Sequence, residues 1–188
     1  MIRMFIRIRN LMLNPAKEWK AIAAESDTRK TVYVRFVLPL LYLTAFAAII
    51  GTWLDTSREV YSIAFVFRKI AILWTSLSSG LYFSAFVITE IMARLTGSKD
   101  HDRAFALMAY ASGVACLVIA VVELFPFFSE LLVLAFYSCY LYWRGIPRLI
   151  GIQGQKRMIY GLLSFIIAVL VYLLMFFFFG NVLNAIFM

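Results

Sequence analysis

Long apolar runs separated by short polar stretches organise this chain of 188 residues, and the length of those runs is the first structural signal. A helix rises about 1.5 Å per residue, so about 20 apolar residues cross the roughly 30 Å hydrocarbon layer of a bilayer. Five stretches meet or approach that length, at about 34–54, 70–93, 104–124, 127–143 and 159–179. The first is interrupted only by Arg35 near one end and by Pro39, which neighbouring helices in a bundle accommodate. The fifth is almost pure Leu, Ile, Val and Phe. Only Phe125-Pro126 separates the third from the fourth, which predicts a tight antiparallel hairpin. The other connections, 55–69, 94–103 and 144–158, are polar, and the last carries the helix breakers Gly145, Pro147, Gly151 and Gly154. The pattern therefore predicts an all-α fold, a polytopic integral membrane bundle with five transmembrane helices. No internal repeat is visible, so an inverted-repeat transporter architecture gains no support.

The first 33 residues follow a different pattern. On a helical wheel Arg3, Arg7 and Asn10 cluster, while Ile2, Phe5, Ile6, Met12 and Leu13 fill most of the remaining circumference and Arg9 is the exception. That arrangement predicts a basic amphipathic helix lying at a membrane interface. It holds no uninterrupted apolar stretch of signal-peptide type and is expected to be retained. Asn14-Pro15 then restarts the chain, because Asn is a favoured N-cap and Pro a favoured first helical residue. The second helix carries Trp19 and Ile22 on one side and ends near Glu25 to Thr28, with Trp19 expected at headgroup depth. Residues 1–33 thus read as a cytoplasmic interfacial segment ahead of a transmembrane domain at 34–188. Two readings stay open for the surface of Arg3, Arg7, Arg9, Pro15, Trp19 and Ile22: a plain membrane anchor, or a docking surface for another protein.

Composition agrees with the membrane reading. Hydrophobic residues make up 64% of the chain and charged residues 15%, whereas a soluble domain carries about 25% charged residues. The formal net charge of +8 would raise nucleic acid as a partner for a soluble protein. In a membrane chain it marks cytoplasmic loops and contact with anionic headgroups, so no nucleic acid partner is expected. On the five-span layout, fifteen of the 18 Lys and Arg share the side of the N-terminus, and only Arg58, Arg68 and Lys69 fall on the other. The positive-inside rule then places the N-terminus in the cytoplasm and the C-terminus across the membrane.

Few residues suggest chemistry. Ser76, Gly80 and Ser84 recur every fourth residue in the second span, and Ala109 with Gly113 repeat that interval in the third. Small residues at this spacing let helix backbones approach closely, which predicts that spans two and three pack along these stripes, within one chain in preference to a homo-oligomer seam. Charges at membrane depth are costly, so Glu90, Glu123 and Glu130 are candidates for a cation or proton site. Glu90 has Arg94 four residues on, which favours local pairing. Glu123 and Glu130 flank the Phe125-Pro126 turn, where two facing carboxylates would bind a cation or share a proton, and where solvated helix ends are the plainer reading. His101 lacks a second His at ligand spacing, and Cys116 and Cys139 lie in apolar runs as small core residues. No phosphate loop, HExxH, GxSxG or CxxC occurs, so no catalytic residue, cofactor or metal is expected.

An ordered set of motifs resembles the Yip (Ypt/Rab-interacting-protein) domain family, in particular its short bacterial members. Asn14-Pro15 followed by Trp19, Ile22 and Glu25 is similar to that family's entry ahead of span one. Leu38-Pro39-Leu40 opens the span, Ala109-Tyr110-Ala111-Ser112 lies in span three, and Tyr140-Leu141-Tyr142-Trp143-Arg144-Gly145 leaves span four after the Pro126 turn. The resemblance implies five spans, a cytoplasmic N-terminus and a bacterial cytoplasmic membrane. Eukaryotic members act in vesicle traffic by contacting small GTPases and one another. This chain lacks their long N-terminal region and Asp-Leu-Tyr-Gly-Pro motif, so that binding is not carried over. The expectation is a non-enzymatic membrane protein that scaffolds partners or organises membrane through its cytoplasmic face. The alternative is a small transporter or channel subunit using the intramembrane carboxylates.

Overall fold

The computed structural model describes residues 2–54, 63–97, 99–152 and 154–186, and no strand occurs among them. Most of the expected connection between the first two spans, residues 55–62, lies outside the described residues. Two short helices, α1 (Ile2–Leu13) and α2 (Pro15–Glu25), meet at Asn14. They are followed by α3 (Arg29–Leu54), α4 (Ile63–Thr96) and α5 (His101–Leu124). A 3-10 stretch, Pro126–Phe136, then runs into α6 (Tyr137–Leu149), and α7 (Gln155–Ile186) ends the described chain.

Local chemistry explains the breaks. Ser26 ends α2 in the left-handed region at φ 46°, and Thr28 opens α3 by accepting a hydrogen bond from the Thr31 N–H. Asp100 caps α5 in the same way, its Oδ1 accepting from the Arg103 N–H at 3.0 Å. Inside α3, Pro39 offers no N–H and its ring would press on the carbonyl four residues back. The chain loosens just before it into a π turn over Tyr33–Val37, where the Leu38 N–H donates to the Tyr33 carbonyl.

Contacts fix the direction of each helix. Phe36 packs on Tyr110 with ring centroids 4.6 Å apart, and Gly51 meets Glu123, so α3 and α5 run parallel. Tyr82 stacks near Phe105, and Lys69 pairs with Glu123, so α4 runs antiparallel to both. Arg103 donates to the Leu149 carbonyl, and the Ala115 N–H donates to Ser138, so α6 returns antiparallel to α5. Ser76 lies by Met175 and Ser84 by Ala168, which sets α7 antiparallel to α4 and parallel to α3 and α5.

Among the described residues four helices are long and apolar enough to cross a membrane: Arg29–Leu54, Ile63–Arg94, His101–Leu124 and Gly161–Ile186. The stretch expected as a fourth span, 127–143, is not one α-helix. The 11 residues of 3-10 helix at Pro126–Phe136, none of them buried, join the 13-residue α-helix Tyr137–Leu149, which runs past the expected end at 143. A 3-10 helix rises about 2.0 Å per residue, so the segment has a contour length of roughly 40 Å, bent at Phe128, whose φ −94° and ψ 30° are not helical.

The core centres on α5, where Ala104, Phe105 and Leu107 are completely buried. The N-terminal helices share that core. Met4, Ile8 and Leu11 of α1 and Trp19 and Ile22 of α2 are buried with it. The apolar residues read from the wheel are not the ones covered: Phe5, Ile6, Met12 and Leu13 stay exposed, while Met4, Ile8 and Leu11 turn into the core, and Trp19, expected at headgroup depth, is sealed inside. Helical periodicity reveals that a face is apolar and says nothing of whether lipid or protein covers it.

The small-residue stripe of α4 also has another partner than expected. Ser76, Gly80 and Ser84 turn to α7: a Cβ at Gly80 would lie 2.5 Å from the Tyr172 ring, and the Ser84 hydroxyl donates to the Ala168 carbonyl at 3.3 Å. Gly113 of α5 instead makes room for Phe36 and Ile8, while Ala109 is buried in the core.

Candidate functional site

The N-terminal helices fold back on each other alongside the first half of α5, and one side chain ties them together. Arg7 Nη1 donates to Glu18 Oε1 at 2.8 Å, and Nη2 donates to Glu25 Oε2. The guanidinium also lies over the Tyr110 ring, 5.5 Å from its centroid. Burial disfavours the charge on Arg7, but Glu25, Tyr110 and Glu18 outweigh it and hold its pKa above the ordinary value. Arg7 therefore stays charged at any pH the folded chain meets.

Tyr110 is the floor of this arrangement. Trp19 meets it edge to face at 6.4 Å, and Phe36 packs on it from α3. Trp19 itself sits against Leu107 and Gly145, where any larger side chain would strike the indole. Its Nε1–H is buried and finds no partner among the described residues.

Beside Arg7 opens a cavity of about 420 Å³, lined by Arg3, Met4, Ile6, Arg7, Glu18, Glu25, Asp27, Arg35, Phe36 and Tyr110. It draws on α1, α2, the Ser26–Thr28 link, α3 and α5, so it exists only because the N-terminal helices dock. Arg3 and Arg7 were legible as a basic cluster. Their acidic counterparts Glu18, Glu25 and Asp27 were not, because the hairpin that brings them together has no signature in spacing. Arg9 is exposed and does not line the cavity, and Pro15 sits half-buried at the start of α2.

The carboxylates singled out at membrane depth lie elsewhere, each in a separate setting. Glu123 pairs with Lys69 at 2.7 Å. Glu130 is exposed on the 3-10 stretch. Glu90 pairs with Lys99, at 2.7 and 3.0 Å, across the α4–α5 turn. Arg94, the pairing partner that spacing pointed to, acts on Glu90 only as a nearby positive charge. A second cavity of about 410 Å³ opens between α4, α5, the 3-10 stretch and α7, walled chiefly by apolar side chains such as Leu77, Ile119, Phe136 and Val169, with the hydroxyls of Ser112 and Tyr172 among them. No cluster of His, Cys, Asp and Glu fit to hold a metal ion occurs among the described residues.

Comparison with known proteins supplies the frame for this geometry. No curated protein and no solved structure matches the chain. The sequence model of the Yip1 domain does match, over residues 9–186. That match begins within α1 and runs to the end of α7, so it covers α2 and the long apolar helices, while Arg3 and Arg7 precede it. Together with those helices it makes this an integral membrane protein in contact with lipid. The chain belongs to the Yip1 domain family.

Proposed function

We propose that this protein is a non-catalytic membrane scaffold that crosses the bilayer five times and presents its N-terminal hairpin to a protein partner from the cytoplasmic side. The observation that carries this reading is the docking of α1 and α2 into the core, which holds their outer surface in one fixed pose. Lys17 and Lys20 of α2 are exposed, and on α6 Arg144 and Arg148 are exposed too. A preorganised basic face costs little ordering entropy when a partner binds.

The five-crossing layout is supported by helix direction. Since α5 and α7 run the same way, the chain between them returns along α5, over a segment long enough to traverse the hydrocarbon layer. The charge asymmetry supports the same layout, with the N-terminus cytoplasmic in a bacterial inner membrane.

Photo-crosslinkers placed at Lys17 and Lys20 in native membranes test the role. A recurrent, identifiable protein adduct that is lost when Arg7→Ala loosens the hairpin supports it. Adducts with lipid alone would refute it. Reporter tags on the two ends test the layout, and finding both on one face overturns it.

A further inference from the structure

We propose that the cavity beside Arg7 binds the headgroup of a zwitterionic phospholipid with a primary amine, of the phosphatidylethanolamine class. The phosphate lies toward Arg3 and Arg35, and the ammonium toward Asp27 and Glu25.

The lining of the cavity decides the ligand's charge. Three guanidinium groups face three carboxylates, so the walls are balanced overall. Arg7 is already committed to Glu18 and Glu25. Arg3, Arg35 and Asp27 line the same space and make no ion pair among the described residues. An anionic headgroup would satisfy the two free arginines and be repelled by Asp27 and by the negative charge left over where the one Arg7 guanidinium serves both Glu18 and Glu25. A simple cation would meet the reverse conflict. A ligand carrying both charges a few bonds apart satisfies both sets, which is discrimination by charge complementarity. Guanidinium groups suit phosphate oxygens, and an ammonium has three N–H donors for carboxylates.

The setting decides between a lipid and a soluble zwitterion. Ile6 lines the cavity and is 44% exposed, and Phe5 and Val34, next in sequence to the lining residues Ile6 and Arg35, are 43% and 51% exposed. In an integral membrane protein such an apolar rim around a charged pocket sits where headgroup meets hydrocarbon. The volume, about 420 Å³, lies within the range of small-ligand sites. This inference needs the membrane placement of the family and no protein partner, so failure to capture a partner leaves it standing.

The test uses the full chain in nanodiscs of equimolar phosphatidylethanolamine and phosphatidylglycerol, with native mass spectrometry counting the lipid that survives release. The expected result is one retained phosphatidylethanolamine, favoured about tenfold over phosphatidylglycerol. Asp27→Asn and Arg35→Gln should each bring the ratio toward parity, with Arg3→Gln as a second arginine variant should Arg35→Gln not fold. Arg9→Gln, outside the cavity, should leave the ratio unchanged. Equal retention of the two lipids by the unaltered protein would overturn the proposal. An effect of Arg9→Gln as large as that of Arg35→Gln would also overturn it, by reducing the preference to general surface charge. Soluble phosphoethanolamine binding as tightly as the lipid would overturn the assignment to a membrane ligand.

Discussion

Gly51 and Glu123 touch backbone to backbone, so closely that a methyl group on Gly51 would lie 1.7 Å from the Glu123 carbonyl oxygen. A side chain at Gly51 has no rotamer that escapes this contact, because the obstacle is main chain. Gly51→Val is expected to force α3 and α5 apart at a cost of about 3 kcal/mol. A marked drop in the thermal unfolding midpoint of the detergent-solubilised protein checks it.

Arg7→Ala leaves Glu18 and Glu25 without their partner and removes the cation over Tyr110. The expected loss is about 2 kcal/mol, the scale for hydrogen bonds to charged groups. It should appear locally first, as faster tryptic cleavage at Lys17 and Lys20. Arg7→Lys should recover part of the protection, since an ammonium cannot span both carboxylates as the planar fork does.

Trp19 fills its site by volume alone. Trp19→Ala is expected to cost about 3–5 kcal/mol. Trp19→Phe should cost far less, about 1–2 kcal/mol, because the indole N–H has no hydrogen bond to lose. Urea unfolding of the two variants side by side distinguishes a packed Trp19 from a headgroup anchor, for which both changes would be nearly neutral to stability.

Gly80 and Tyr172 should behave as a coupled pair. Gly80→Val drives two methyls into the Tyr172 ring, while Tyr172→Ala vacates that space. The double variant is expected to be more stable than the sum of the single effects by about 1 kcal/mol or more. Additive losses would mean that α7 does not rest on this stripe.

The transport alternative makes a separate prediction. Glu123 is held by Lys69, and Glu130 lies outside the core, so neither offers a continuous polar path. Liposomes containing the protein should conduct protons and monovalent cations no faster than empty ones, with Glu123→Gln indistinguishable. Flux above that baseline, abolished by Glu123→Gln, would revive the transport reading.

Much of the helical layout was legible because its cause is local. The apolar run that ends at Leu124 stops there in the structure, since Phe125-Pro126 cannot continue a helix. The restart at Asn14-Pro15 is likewise a property of two adjacent residues. What escaped depends on the third dimension. Four-residue spacing of Ser76, Gly80 and Ser84 promises a close approach without naming the helix that makes it. Arg7 reads as one more basic residue until the fold brings it to Glu18 and Glu25, 11 and 18 positions on. The 3-10 winding of Pro126–Phe136 was hidden for another reason: hydropathy measures oiliness and is blind to how tightly a helix is wound.

Because α7 rests mainly on α4, along a narrow seam of small residues, most of its circumference is left uncovered by the rest of the chain and, in a bilayer, open to acyl chains. Fluid hydrocarbon imposes no shape on what it surrounds, so that flank is free to drift among Leu, Ile, Val, Phe and Met without penalty. Variation among related chains should therefore concentrate at positions such as Phe177 and Leu173, while Ser84 and Ala168 stay small.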